Sequence, residues 1–140
     1  MAVNYADAVA SAMYKQIQSR GFAAPVDVLM DIGVLSRPDY DRWRRGQVPY
    51  LEKVCRTNLK KLSTIMHAIR AYAQKEQLKP SFTYYKKIGG HASGPLRFSK
   101  SGDRHIEHNY ATHYVSTKKL PPQKQPTVVA DPNEPEEENP

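Results

Sequence analysis

Cysteine is almost missing from this sequence of 140 residues: Cys55 stands alone. A single thiol excludes an intramolecular disulfide framework and a multi-cysteine zinc site, and it suits a reducing, cytoplasmic setting. Long apolar runs are missing too. No stretch approaches the roughly 18 consecutive apolar residues of a bilayer span, so no membrane segment is expected. The first residues, Met1-Ala2-Val3-Asn4-Tyr5-Ala6-Asp7, lack the basic start and apolar centre of a signal peptide. Apolar residues amount to 39%, which leaves part of the chain without material for a packed core.

Negative charge is scarce over most of the chain and concentrated at its end. Residues 1–119 carry 20 basic and 9 acidic side chains, a balance of +11, whereas Leu120–Pro140 hold one Lys and five acids. This contrast divides the sequence into a basic, mainly helical domain, 1–115, and a Pro-rich acidic tail, 116–140, expected to be disordered. A small body with such a surplus attracts polyanions. The tail can be a solvated end or a competitor for the basic surface.

Periodicity predicts a mainly α fold. Tyr5, Val9, Met13 and Ile17 recur every four residues, so 4–19 reads as a helix capped by Asn4 and ended by Gly21. Pro25 suits the first turn of a second helix over 25–35, with Val26, Leu29, Met30 and Ile32 apolar. Gly33 allows a turn, Ser36 caps a third helix, and Gly46 closes it. Leu51, Cys55, Leu62, Ile65, Ile69 and Tyr72 then predict one long helix over 49–77, with Asn58 on its apolar stripe. Lys53, Arg56, Lys60, His67 and Arg70 would share its opposite face. Two short strands, 81–88 and 96–99, read as a β-hairpin across a glycine loop. Asp103 caps a last helix over 104–110. The expected architecture is therefore a helix–turn–helix-like bundle with one long helix and a small hairpin.

Residues 25–46 form two short helices around a glycine-containing turn, the layout of a helix–turn–helix. Within 32–49, Gly33, Ser36, Tyr40, Trp43, Gly46, Val48 and Pro49 fall in sequence with an arginine cluster. This segment resembles the excisionase and MerR-type helix–turn–helix. In that family a turn glycine precedes a Ser-started recognition helix that carries aromatics and arginines and ends in a Gly-x-aliphatic-Pro step. The resemblance implies a duplex-DNA-binding regulator or recombination accessory. The chain departs from the family in lacking a wing strand after the proline and in carrying Asp39 and Asp41. The remainder resembles uncharacterised bacterial proteins, from which no activity carries over.

Arg37, Arg42, Arg44 and Arg45 can reach phosphates or guanine edges, and Gln47 can read adenine. The same arginines could instead complement the dipole of a solvated helix end, with Tyr40 and Trp43 as core. Lys53, Arg56 and Lys60 would extend the phosphate-binding surface. Tyr84, Tyr85, Lys86 and Lys87 mix rings with bases, which suits single-stranded RNA as much as a half-buried strand. Arg97, Lys100 and Arg104 flank a Ser/Gly turn that can hold a phosphate or simply cap a helix. His105, His108 and His113 lack converging partners in sequence, and Cys55 lies on an apolar stripe, so neither a metal, a cofactor nor a catalytic centre is expected. The leading expectation is nucleic-acid binding, with DNA preferred to RNA. A protein-interaction module, as a homodimer or bound to an acidic protein partner, is the alternative.

Overall fold

The computed structural model describes residues 5–88 and 95–117. Asn4, the loop glycines Gly89, Gly90 and Gly94, and the acidic tail from residue 118 lie outside the described residues. Helix α1 (Tyr5–Arg20) buries Val9, Met13 and Ile17 on the stripe read from the sequence. Gly21, at φ +86°, donates its N–H to the Ile17 carbonyl and turns the chain into strand β1 (Phe22–Ala23). Helix α2 (Pro25–Asp31) opens on Pro25, which needs no helical N–H partner there. Helix α3 (Arg37–Arg44) is capped by the Ser36 hydroxyl, which accepts the Asp39 N–H at 3.2 Å. The α2–turn–α3 unit is therefore present, with Gly33 at φ +84° between its helices.

The expected long helix does not begin at Pro49. Leu51–Val54 form a single 3-10 turn, Cys55 is extended, and helix α4 covers only Leu59–Lys75. Two interactions explain the break, one with a distant segment and one local. The N–H groups of Leu51 and Glu52 go to the carbonyls of Arg97 and Phe98, at 3.2 and 2.9 Å. Asn58, expected on the apolar stripe, instead accepts the Lys61 N–H at 2.8 Å and caps α4. A short amide side chain competes with the backbone in this way, so it starts helices more readily than it continues them. Lys53 and Arg56 consequently precede α4 and share no helix face with Lys60, His67 and Arg70.

The expected hairpin is also replaced. Strand β2 (Lys79–Phe82) pairs antiparallel with β3 (Thr112–Val115), which follows helix α5 (Arg104–Ala111) directly. β3 pairs with β1 on its other side, giving a three-stranded sheet in the order β1-β3-β2. Among the described residues, the backbones of segments 84–88 and 95–98 pair only through the Lys86–Pro95 bridge and the Leu96 N–H to Tyr85 carbonyl bond of 2.9 Å. The second segment cannot pair further because its backbone is already engaged. Arg97 and Phe98 accept from the 3-10 turn, while the N–H groups of Phe98 and Ser99 bond Glu107. Ser116 continues the order past β3 by donating its N–H to Gly21.

The core runs through the whole body. α1 packs on α4, and Leu62, Ile65 and Ile69 meet Val9 and Met13 in one buried cluster with Val26, Leu29 and Leu35. Its aromatic end is built around Trp43, which is fully buried. Tyr40, Tyr85 and Phe98 surround the indole with ring centroids 5.1–6.0 Å away, and its Nε1–H donates to the Arg97 carbonyl at 2.8 Å. Trp43→Phe should keep most of the packing and remove one of the two donors to that carbonyl, which retains the Leu51 N–H, lowering unfolding free energy by about 0.5–1.5 kcal/mol. Trp43→Ala should cost about 3–5 kcal/mol. Urea unfolding followed by circular dichroism reads both; a Trp43→Phe variant as stable as the parent would mean that the indole hydrogen bond contributes nothing.

Candidate nucleic-acid interface

Helix α3 carries the arginine cluster, and each arginine has a different fate. Arg37 pairs with Asp41 at 3.2 Å and Arg42 pairs with Asp39, both one turn apart on the same helix. The hydrogen bond from Arg42 holds the Asp39 carboxyl below its usual range. Asp39 and Asp41 therefore neutralise half of the cluster locally. Arg44 is inward and structural. Its guanidinium carbon lies 5.9 Å from the Tyr40 ring centroid and 5.4 Å from that of Tyr85. It donates to the Tyr40 hydroxyl at 2.9 Å and to the Lys86 carbonyl at 3.2 Å, while its buried Nε has no acceptor among the described residues. Arg45 is exposed at the end of the helix and has no ion-pair partner among the described residues.

These interactions join two stretches that sequence reading treats as separate. The Ile88 N–H donates to the Arg44 carbonyl at 2.7 Å, so residues 86–88 lie against the end of α3. Gly46, at φ +76°, has Lys87 beside it: a Cβ there would come within 2.9 Å of the lysine Cδ. The outcome is a strip in which the backbone brings residues 86–88 beside Arg45–Gln47, with the Lys87 chain against Gly46 and the Lys86 ammonium toward the Tyr84 ring. Neither lysine has an ion-pair partner among the described residues. Tyr84 is 52% exposed next to it, with the Lys86 ammonium 5.8 Å from its ring centroid. Tyr85 belongs to the core instead, and burial raises its phenol well above the ordinary range. Arg56 is exposed near Asp39, its own N–H fixed to the Val34 carbonyl at 2.7 Å. Lys53 and Lys60 are exposed on the 3-10 turn and on the first turn of α4.

The Ser/Gly turn is not a free phosphate cradle. The N–H groups of Ser99, Lys100, Gly102 and Asp103 go to Glu107, Glu52, Ser99 and Ser101. Asp103 itself accepts from His105 and Ile106 at the start of α5. Arg97 is tied to the carbonyls of Ser99 and Lys100 and lies over Tyr50, at 5.7 Å. Lys100 and Arg104 are exposed. Arg97 and Arg104 line an open cavity of about 810 Å³ together with Phe82, Tyr84, His105 and His108.

The histidines have separate surroundings. His113 bonds the Tyr85 hydroxyl at 2.9 Å, His108 stacks on Phe82, and His105 is exposed. Burial lowers the His113 pKa, so this ring is uncharged at neutral pH. Among the described residues no three His, Cys, Asp or Glu side chains gather to hold a metal ion. No helix among them is long and apolar enough to cross a membrane. Cys55 is half-buried off the helix, and burial pushes its thiol from 9.0 to about 12, which keeps it protonated and unreactive.

Sequence reasoning misses two residues that set this geometry. Glu52 receives the Lys100 N–H and the Tyr110 hydroxyl, at 2.9 and 2.8 Å, and Glu107 receives Phe98 and Ser99. Their isolation among basic neighbours is the available signal, since a lone acid in a basic stretch commonly has an internal donor. Compared with known proteins, the chain matches no family model, no curated protein and no solved structure.

The division between inward and outward arginines is testable by stability alone. Arg44→Ala should lower unfolding free energy by about 1–3 kcal/mol, because it opens a half-buried, multiply bonded site. Arg45→Ala should stay within about 0.5 kcal/mol of the parent. Thermal melts of both variants check this; matched values would contradict the assignment.

Proposed function

We propose that this domain binds nucleic acid, duplex DNA in the first place, through the strip at the C-terminal end of α3. The observation that carries the reading is the gathering of Arg45, Lys86 and Lys87, none with an ion-pair partner among the described residues, around the exposed Gln47. Unpaired cations on one surface neutralise successive phosphates and release counterions, which supplies most of the affinity of such complexes. The α2–turn–α3 unit supports the same reading, since its layout is that of helices that enter the major groove. Base discrimination is modest in this mechanism. Arg37 and Arg42 are committed to aspartates on their own helix, leaving Arg45 and Gln47 to reach base edges. Arg56, beside the first turn of α3, would hold the backbone at the other end.

A second reading rests on Tyr84. Its ring is half exposed with Lys86 over it, an arrangement on which an unstacked base can lie while lysines hold the phosphates. Fluorescence anisotropy with duplex DNA, single-stranded DNA and RNA over a salt series separates the two. The strip predicts duplex binding that falls steeply with salt. Arg45→Ala/Lys86→Ala/Lys87→Ala should weaken it at least about tenfold and reduce the salt slope by about one for each phosphate no longer neutralised. Arg44 is unsuitable for this test because its removal disturbs the fold. Tighter binding to single strands, abolished in Tyr84→Ala, would select the second reading. No binding to any of the three at low salt would overturn both in favour of an acidic protein partner.

A further inference from the structure

A cleft of about 540 Å³ lies between α4 and α5, within the range of small-ligand sites. Helix α5 leans on α2 and not along α4, so the space between them is not closed by packing. One face of α4 lines it with Leu59, Ser63, Met66 and Arg70, spaced by four, three and four residues. At helical rise these span about 16 Å. The facing side of α5 adds Ile106, Asn109 and Tyr110, and the end of the cleft is formed by Glu52, Lys100 and Ser101.

Two properties of this cleft identify its ligand. Its walls are apolar yet unfilled: Leu59 is 53% and Ile106 39% exposed, both large side chains that folding normally covers. Its charge is net positive, with Arg70 and Lys100 against one acid, Glu52. Arg70 is half-buried without a hydrogen bond or ion pair among the described residues, and the Lys100 ammonium has no ion-pair partner among them either. Each oxygen of Glu52 accepts one neutral donor, the Lys100 N–H or the Tyr110 hydroxyl, and no ion pair among the described residues ties it to either cation. A guanidinium held against an apolar wall forms strong charge-assisted bonds with a carboxylate, stronger there than in open water.

We propose that the α4–α5 cleft binds a small amphipathic anion, an apolar chain or ring ending in a carboxylate. The carboxylate lies on Arg70, with Lys100 adding positive field, and the apolar body lies along Leu59, Met66 and Ile106. Ser63 and Asn109 supply further hydrogen-bonding groups in the lining. This site uses none of the strip residues Arg45, Lys86 and Lys87, so it stands or falls apart from nucleic-acid binding.

The probe is decanoate, titrated into the full chain and followed by amide chemical shifts and calorimetry. One equivalent should bind, with shifts centred on Ser63, Arg70, Ile106 and Asn109. Decanol should bind at least about tenfold more weakly, because it lacks the charge. Arg70→Gln should lower decanoate affinity at least about tenfold while leaving the melting temperature and decanol binding unchanged. Arg45→Ala/Lys86→Ala should leave decanoate binding intact. Equal affinity for decanoate and decanol, an unaffected Arg70→Gln variant, or no binding at millimolar decanoate would each overturn the proposal. So would displacement of signals from residues 120–140, which would assign the cleft to the chain's own acidic end.

Discussion

The hydrogen bond from the Trp43 indole to the Arg97 carbonyl ties together parts of the chain that are 54 residues apart. It works with the three rings around Trp43 to bring α3, the 84–88 segment and the 95–99 segment to one point. Everything distinctive about the surface follows from that closure. Arg44 reaches Tyr85 and Lys86 only because Trp43, its neighbour, is anchored below. The lysines then lie at the end of α3 and not on an independent strand. The 3-10 turn depends on the same point, since Arg97 accepts from Leu51 as well as from Trp43. An indole suits this position because it supplies both a large apolar body and a single directed donor.

Acidic side chains form a second layer of the same logic. The described body has few of them, and most work internally. Asp27 holds Arg20, Asp31 holds Gln16, Asp103 caps α5, and Glu52 and Glu107 bind backbone N–H groups of the 98–100 segment. A carboxylate that accepts N–H donors keeps its charge, since these bonds favour the ionised form, but it is held in place by the fold. None of these fixed acids forms an ion pair with Arg45, Lys86 or Lys87 among the described residues. The exception is α3 itself, where Asp39 and Asp41 pair with its own arginines and weaken the part of the helix that resembles a reader of bases.

Local signals in the sequence are sufficient for α1 and for the starts of α2, α3 and α5, and insufficient for the fourth helix and the sheet. The stripe of α1, the Ser36 and Asp103 caps and the Pro25 start each depend on residues within one turn, and each is found where expected. The long fourth helix is not found because helical periodicity continues through a segment whose N–H groups are claimed from 97–98. The hairpin is not found because proximity in sequence does not guarantee pairing. β2 instead pairs with β3, a four-residue strand that begins where α5 ends and has no turn to announce it. Among candidate site residues, the arginines are legible as a cluster, but their division into paired, buried and free members is not. That division depends on Tyr85 and the Lys86 carbonyl, which lie about forty positions downstream. Gln16 escapes for a similar reason: its buried amide links Ala24 and Asp31, a role set by the fold and not by its neighbours.

The strip and the fold are consequently coupled. Its two halves, the end of α3 and residues 86–88, meet through the Arg44–Lys86 and Ile88–Arg44 hydrogen bonds, so the cations are adjacent only while the aromatic core is closed. An unfolded chain presents the same charges scattered along its length. A polyanion that spans the strip must therefore favour the folded form over the unfolded one by the difference in its affinity for the two. The reverse holds as well. Bringing the stretches that carry Arg45, Lys86 and Lys87 onto one part of the surface without a ligand adds like charge there, which folding has to offset. Positioning cations on a rigid, pre-assembled surface removes part of the ordering cost from binding and transfers it to folding. The buried tryptophan and the uncompensated surface charge are in this sense one feature, since the first is what makes the second possible at this end of the molecule.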